Sequence, residues 1–238
     1  MPVITVNGPI GCGAATIGQM VAEKLGIDFV DRLVLTEASK LVRVPVGALV
    51  DIENPVDSFR KRLGDFIQAM LERSSISAEM YGGGGFGLSQ AYESMLVERP
   101  VKPAKLEDKD FIKATTIVVN GLCQKGDVVI VGRGANVILA DTPNVLHVGL
   151  IAPPEVRAET LMKRENIERK EAEAFVEQLE SANVTYFRKF FQVRPSEPSL
   201  YHTILNMGKL EPEKAADIIS RAAKNEDFAR PAYAGAID

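Results

Sequence analysis

Residues 3 to 7, VITVN, are β-branched or apolar on both faces of an extended chain and end on Asn7, which is the pattern of a short strand buried on both sides. Immediately afterwards Ile17, Met20, Val21 and Leu25 recur at helical spacing, and Gly26 supplies a stop. IDFVD then predicts a second strand ending at Asp31. From Leu33 to about Arg99 the period is helical, clearest in FRKRLGDFIQAMLER, and is interrupted at residues 81 to 87 by YGGGGFG, too glycine-rich for helix. A helix through Leu122, stopped by KGD, leads into the apolar run VVIVGRG. NVLHVGLI is another buried strand, charge-rich helical sequence fills Pro154 to about Val193, SLYHTILN carries a last strand, and a helix covers about Glu213 to Ala223. Strands alternating with helices predict a parallel sheet covered on both faces, with ligands at the carboxyl ends of its strands.

Composition narrows the classes. With 238 residues, 46% of them hydrophobic, the chain can bury one sizeable core. Two cysteines, Cys12 and Cys123, and two histidines give no disulfide framework and little material for a soft-metal site. There is no signal-like leader and no run of 18 apolar residues, so the expectation is a soluble protein of the reducing cytoplasm. A formal charge of -4 argues against broad binding to nucleic acid polymers and leaves small phosphorylated molecules as the phosphate partners that local cations could meet.

The chemistry concentrates in ITVNGPIGCGAAT, a glycine-rich turn from strand to helix. A phosphate loop needs glycine because successive backbone N–H groups must point inward at an anion, and side chains block that approach. Gly8, Gly11 and Gly13 meet the need. The spacing from Gly8 to Gly13 fits the P-loop pattern GxxxxGK followed by Ser or Thr, but Ala14 stands where the lysine belongs. A dinucleotide fingerprint GxGxxG is the rival: it takes Gly11 and Gly13, finds Thr16 at its third glycine, and has Asp31 at about the right distance to hold a ribose. A plain connecting turn is the third reading.

Arg133 follows an apolar strand and lies between Gly132 and Gly134, at a carboxyl edge with room for a ligand, and its planar fork suits phosphate oxygens. An ion pair with a carboxylate such as Asp31 is the alternative. Cys12 near a helix N-terminus has the setting that lowers a thiol pKa, but nothing near it in sequence resembles a catalytic base, so a small loop residue is the better reading. His147, inside an apolar strand, reads as a packed core residue, while His202 is ambiguous.

NGPIGCGAAT resembles the loop of nucleoside monophosphate kinases, roughly GPxGxGKGT, and most closely that of the cytidylate kinase-like family; Gly8, Pro9, Gly11, Gly13 and Thr16 match, while Ala14 and Ala15 replace lysine and glycine. GIDFVDRLVL matches at Asp31 and Arg32, VVIVGRGANVIL at Arg133, LIAPPEVRAETLMKRE at Arg157, and SLYHTILNMGKLEPEKAADII at Tyr201, His202 and Asn206. The resemblance implies an α/β three-layer P-loop kinase fold, a parallel sheet of about five strands, in one domain over 1–225. It further implies a helical monophosphate-binding insertion at 33–110, with the 82–87 glycines as a hinge, and a lid region at 154–194. A tail at 226–238 is either mobile or docks on a second subunit, which would make a homodimer.

Resemblance also assigns roles. Gly8, Gly11, Cys12, Gly13, Ala14, Ala15 and Thr16 would cradle the phosphates of ATP, Asp31, Arg32 and Arg133 would meet the acceptor, and Arg157, Arg164 and Arg188 would close as a lid, with Arg133 and Arg188 catalytic. The lid's Asp-x-x-Arg pattern reads ESAN here, with Glu180 conservative and Asn183 in the arginine's place, and Arg188 and Lys189 following it. Magnesium would be held mainly by phosphates and water, with Thr16 as a protein contact and Asp31 the nearest carboxylate.

Overall fold

A computed structural model describes residues 2–32, Leu35 and 108–224. The helical pattern and glycine run expected between Leu33 and 107, and the tail at 226–238, lie outside them. Five strands form one parallel sheet: β1 Val3–Asn7, β2 Asp28–Val30, β3 Val128–Val131, β4 Val145–Ile151 and β5 Thr203–Asn206, in the order β2-β3-β1-β4-β5. The chain belongs to the parallel α/β class because every one of these neighbours is reached by a crossover. β1 is central and wholly buried, with Val3 paired to both Val128 and Val145.

Helices α1 (Ala14–Leu25), α2 (Asp108–Lys125), α3 (Ala135–Ile138), α4 (Pro154–Glu165), α5 (Arg169–Phe191) and α6 (Pro212–Lys224) complete the described residues. Alternate residues of the strands feed two separate cores. Ile4, Val6, Val129, Val131, Leu146 and Val148 pack with α1 and α6, while Val3, Val128, Ile130 and Val145 pack with α2 and α3. α1 lies hard against its face because Gly18 carries no side chain: a Cβ there would sit 2.8 Å from Val131 Cγ2. A third cluster joins α4 to α5 through Ala158, Leu161, Ala172, Val176 and Leu179.

Two boundaries differ from the sequence pattern for local reasons. The charge-rich stretch from Pro154 splits into two helices because Asn166 takes the left-handed conformation, φ 53, and caps α4. SLYHTILN forms strand only from Thr203; Pro198–Leu200 is a single 3-10 turn, and His202 enters the sheet by accepting the His147 backbone N–H on its Nδ1 at 2.9 Å.

Candidate active site

Gly8 to Gly13 turn the chain from the end of β1 into α1. Gly11 and Gly13 have φ of +84 and +80, whereas Cys12 between them does not, so the backbone alternates in hand. Such alternation aims successive N–H groups at one point and makes an anion-binding hollow. The N-cap of α1 is Gly13 itself, with no side-chain cap and no acidic residue in the first turn, so the positive end of the helix dipole is left to a ligand. Gly8 is equally constrained, since a Cβ there would lie 2.5 Å from Cys12 Sγ and 2.8 Å from the Leu150 carbonyl oxygen.

Cys12 closes the loop from within. Its thiol donates to the Pro9 carbonyl oxygen at 2.8 Å, and burial pushes its pKa up to about 11 despite Arg32, Arg157 and the loop amides. The thiol stays protonated at neutral pH and is a structural residue, not a nucleophile. Ile10 points the other way, into the α4–α5 cluster, and a Cβ on Gly11 would lie 2.5 Å from the Arg157 carbonyl oxygen. The loop and the start of α4 are therefore packed together.

One cleft opens on this loop. Pro9, Ile10, Gly11, Gly13, Ala14 and Ala15 line one side, and Asp31, Arg32, Val131 and Arg164 complete it. Val131 ends β3, Asp31 and Arg32 follow β2, and Arg164 comes from the last turn of α4, where its Nε donates to Glu165 Oε1 at 2.9 Å. Arg32 runs past Gly132, whose missing Cβ would be 3.6 Å from Arg32 Cβ, and so borders the next turn.

That turn, Gly132–Arg133–Gly134, holds three successive residues at positive φ, of which Arg133 at 53 is the non-glycine one. Aromatic side chains from the end of α5 hold it there. The Tyr186 hydroxyl donates to the Arg133 carbonyl oxygen at 3.2 Å, the Arg133 guanidinium lies 6.0 Å from the Tyr186 ring centroid, and Phe191 occupies the space a Cβ on Gly134 would need. Burial pushes the Tyr186 pKa up to about 12, so it remains a neutral donor.

The remaining expected site residues fall elsewhere. Arg157 is buried at 4%, pairs with Glu180 through Nη2 at 2.6 Å, and has Nε and Nη1 without a protein partner; it does not line the cleft. Arg188 is exposed on α5 and also outside the cleft lining, and Thr16, in the first turn of α1, is exposed. Among the described residues no three His, Cys, Asp or Glu side chains gather as a metal cluster.

A family model described as the cytidylate kinase-like family matches residues 3–209. The chain belongs to that family. A cytidylate kinase of Methanopyrus kandleri is 30% identical over 107 residues, covering 42% of this chain and 55% of that enzyme. A shikimate kinase of Pasteurella multocida is 33% identical over 98 residues, covering 41% of this chain and 53% of that enzyme. The matches thus span about half the length of these two relatives. A solved structure of an uncharacterized protein from Eubacterium ventriosum superposes with a TM-score of 0.62 at 17% identity, over 94% of this chain and 98% of that one, a likeness of fold.

Three features of this cytidylate kinase-like chain escaped the sequence pattern. Ile10 has no role in the loop pattern, and only its apolar character hints that the loop docks on α4 and α5. Tyr186 and Phe191 read as part of a charged helix, although the aromatic run TYFRKFF marks a packed end. Tyr201 receives the Asn7 amide at 2.8 Å and donates to the Pro195 carbonyl oxygen at 2.5 Å, pinning the end of β1 to the segment after α5. No helix of the described residues is long and apolar enough to cross a membrane.

Proposed function

We propose that this cytidylate kinase-like chain moves the terminal phosphoryl group of ATP to a nucleoside monophosphate, with CMP or dCMP first among acceptors. The observation that carries the reading is one cleft holding both a glycine-rich loop without charged side chains and the Asp31–Arg32 pair, the first suited to donor phosphates and the second to an acceptor. An acceptor phosphate oxygen forms the bond to the γ-phosphorus as the bond to the β–γ bridging oxygen breaks, leaving ADP and a nucleoside diphosphate. The attacking phosphate is already ionised at neutral pH, so no residue need act as base, and catalysis lies in alignment and charge.

Arg133 is not among the residues that line the cleft, but its turn, held by Tyr186 on the Arg133 carbonyl, borders Arg32, and on this reading its guanidinium would bridge the two phosphates from there. Arg164 faces the same space. Arg188 lies outside the cleft lining, and on this reading Arg157 serves the lid through Glu180. Of the two residues expected to meet magnesium, Asp31 lines the cleft and Thr16 does not; with no three-ligand cluster among the described residues, Asp31 would hold the ion with phosphates and water supplying most of its coordination. When bound, the ion neutralises phosphate charge.

A coupled assay with ATP, magnesium and a panel of CMP, dCMP, other monophosphates and shikimate tests the reading. Turnover of CMP or dCMP that falls about 100-fold in Arg133→Ala is expected. Turnover of shikimate alone would overturn the acceptor class. Tight ATP binding with no turnover of any acceptor would overturn the kinase reading in favour of a nucleotide sensor, the second reading that Ala14 motivates.

A further inference from the structure

We infer that Arg164 supplies the positive charge the glycine loop lacks at Ala14, so that the donor's outer phosphates are met by a cation delivered from α4. The inference rests on the reading that a nucleoside triphosphate occupies the loop. Ala14 is the first residue of α1, 7% exposed, and lines the cleft with a methyl group that carries no charge. Across the same cleft lies Arg164, and among the described residues the cations lining it are Arg32 and Arg164.

Position separates these two. Arg32 follows Asp31 at the end of β2 and lies over Gly132, which puts it on the acceptor side with a carboxylate beside it. Arg164 belongs to the helix whose base is welded to the loop, through Ile10 in the α4–α5 cluster and Gly11 against the Arg157 backbone. Arg157 itself is spent on Glu180 inside that weld. Arg164 keeps 33% of its side chain open, and the bond to the buried Glu165 carboxylate engages Nε, which orients the guanidinium and leaves its terminal nitrogens at the far end of the fork. A guanidinium so held offers phosphate two parallel donors where a lysine offers a point charge. The cradle and its cation then sit on different helices, and donor affinity follows the placement of α4 on the loop.

Calorimetric titration of the full chain with magnesium ATP, and separately with CMP, tests this on wild type, Arg164→Ala, Arg164→Lys and the double variant Arg164→Ala/Ala14→Lys. Arg164→Ala is expected to weaken ATP about 10- to 100-fold, the worth of a charge-assisted contact, and CMP far less. Arg164→Lys should recover part of the loss, and Lys at position 14 in the double variant should restore ATP affinity to within about threefold of wild type, because charge at either position serves the same phosphates. Circular dichroism melting of each variant separates lost binding from lost folding, and a variant that melts early is replaced by Arg164→Gln. Wild-type ATP affinity in Arg164→Ala, or a folded double variant no better than the single one, would overturn the inference alone. A wild-type chain that binds no ATP would overturn the proposed function with it.

Discussion

The turn after β1 and the turn after β3 both carry a strand into a helix through left-handed glycines, Gly11 and Gly13 in the first, Gly132 and Gly134 in the second. They lie on neighbouring strands and border one another through Arg32. In the first turn no charged side chain enters the cleft: Ile10 packs into the α4–α5 cluster and the Cys12 thiol folds back on Pro9, so what faces a ligand is backbone with small apolar side chains such as Ala14 and Ala15. In the second turn the backbone is occupied, by Tyr186 on the Arg133 carbonyl and by Phe191 on Gly134, and what remains to act is a side chain. The same glycine geometry therefore makes a cradle when the neighbours are small or turned away, and a mount for an arginine when aromatic rings press on it from behind. A strained residue persists where its surroundings over-determine it, and Arg133 at φ 53 is the case here.

The most disruptive way to test that contrast is Gly11→Ala. The added Cβ meets the Arg157 carbonyl oxygen at 2.5 Å and a φ of +84, so urea unfolding should show a loss of about 3 kcal/mol or more, and ATP binding should disappear with it. Unchanged stability would mean that the loop is not seated on α4.

Acid titration comes next and touches neither turn. His147 in β4 shares a 2.8 Å hydrogen bond with Thr5, stacks on His202 at 5.1 Å, and has its pKa lowered to about 4, first by burial and then by His202. The folded state then favours the neutral ring, while the unfolded chain takes up a proton near the ordinary value of 6.5. Stability is intact above that value and falls as pH drops toward 4, by about 2 kcal/mol between pH 7 and 4.5 in urea titrations. In His147→Gln this pH dependence should flatten. If it does not, the acid sensitivity belongs elsewhere, and the two turns become candidates for it.

The smallest stability effect should be the most telling for function. Arg133→Gly relieves a left-handed arginine, worth about 1 kcal/mol, against the loss of a contact with Tyr186 of similar size, so thermal unfolding should move little while phosphoryl transfer falls about 100-fold. A large drop in stability would reverse the contrast, making the second turn as structural as the first.

Much of this was legible beforehand because it depends on local rules. The strands β1, β3 and β4 are continuous apolar runs, Gly26 ends α1 in the left-handed conformation that a C-cap glycine supplies, and Gly8, Gly11 and Gly13 announce a turn whose backbone must come close to something. The gathering of Asp31 and Arg32 with the loop followed from strand ends meeting at one sheet edge. What could not be read was decided by contacts between distant segments. Nothing in the spacing says that Ile10 belongs to the α4–α5 core, that Arg157 turns to Glu180 while Arg164 faces the loop, or that Tyr186 props Arg133 across 53 positions of chain. α3 is missed for a simpler reason, since four residues are too few to show a period.

The pair α4 and α5 is anchored at both of its roots, where Ile10 and Gly11 grip the start of α4 and Gly134 receives Phe191 at the end of α5. Its other end, at Asn166 to Arg169, is an elbow tied to its own two helices, through Ile167 in their cluster and Arg169 on Glu159, with Glu168 exposed. Mechanically this is a cantilever: bending concentrates at the roots, and displacement is greatest at the elbow. A fluorophore placed at position 168 would then magnify, as on the end of a lever arm, any rearrangement that begins at the glycine loop.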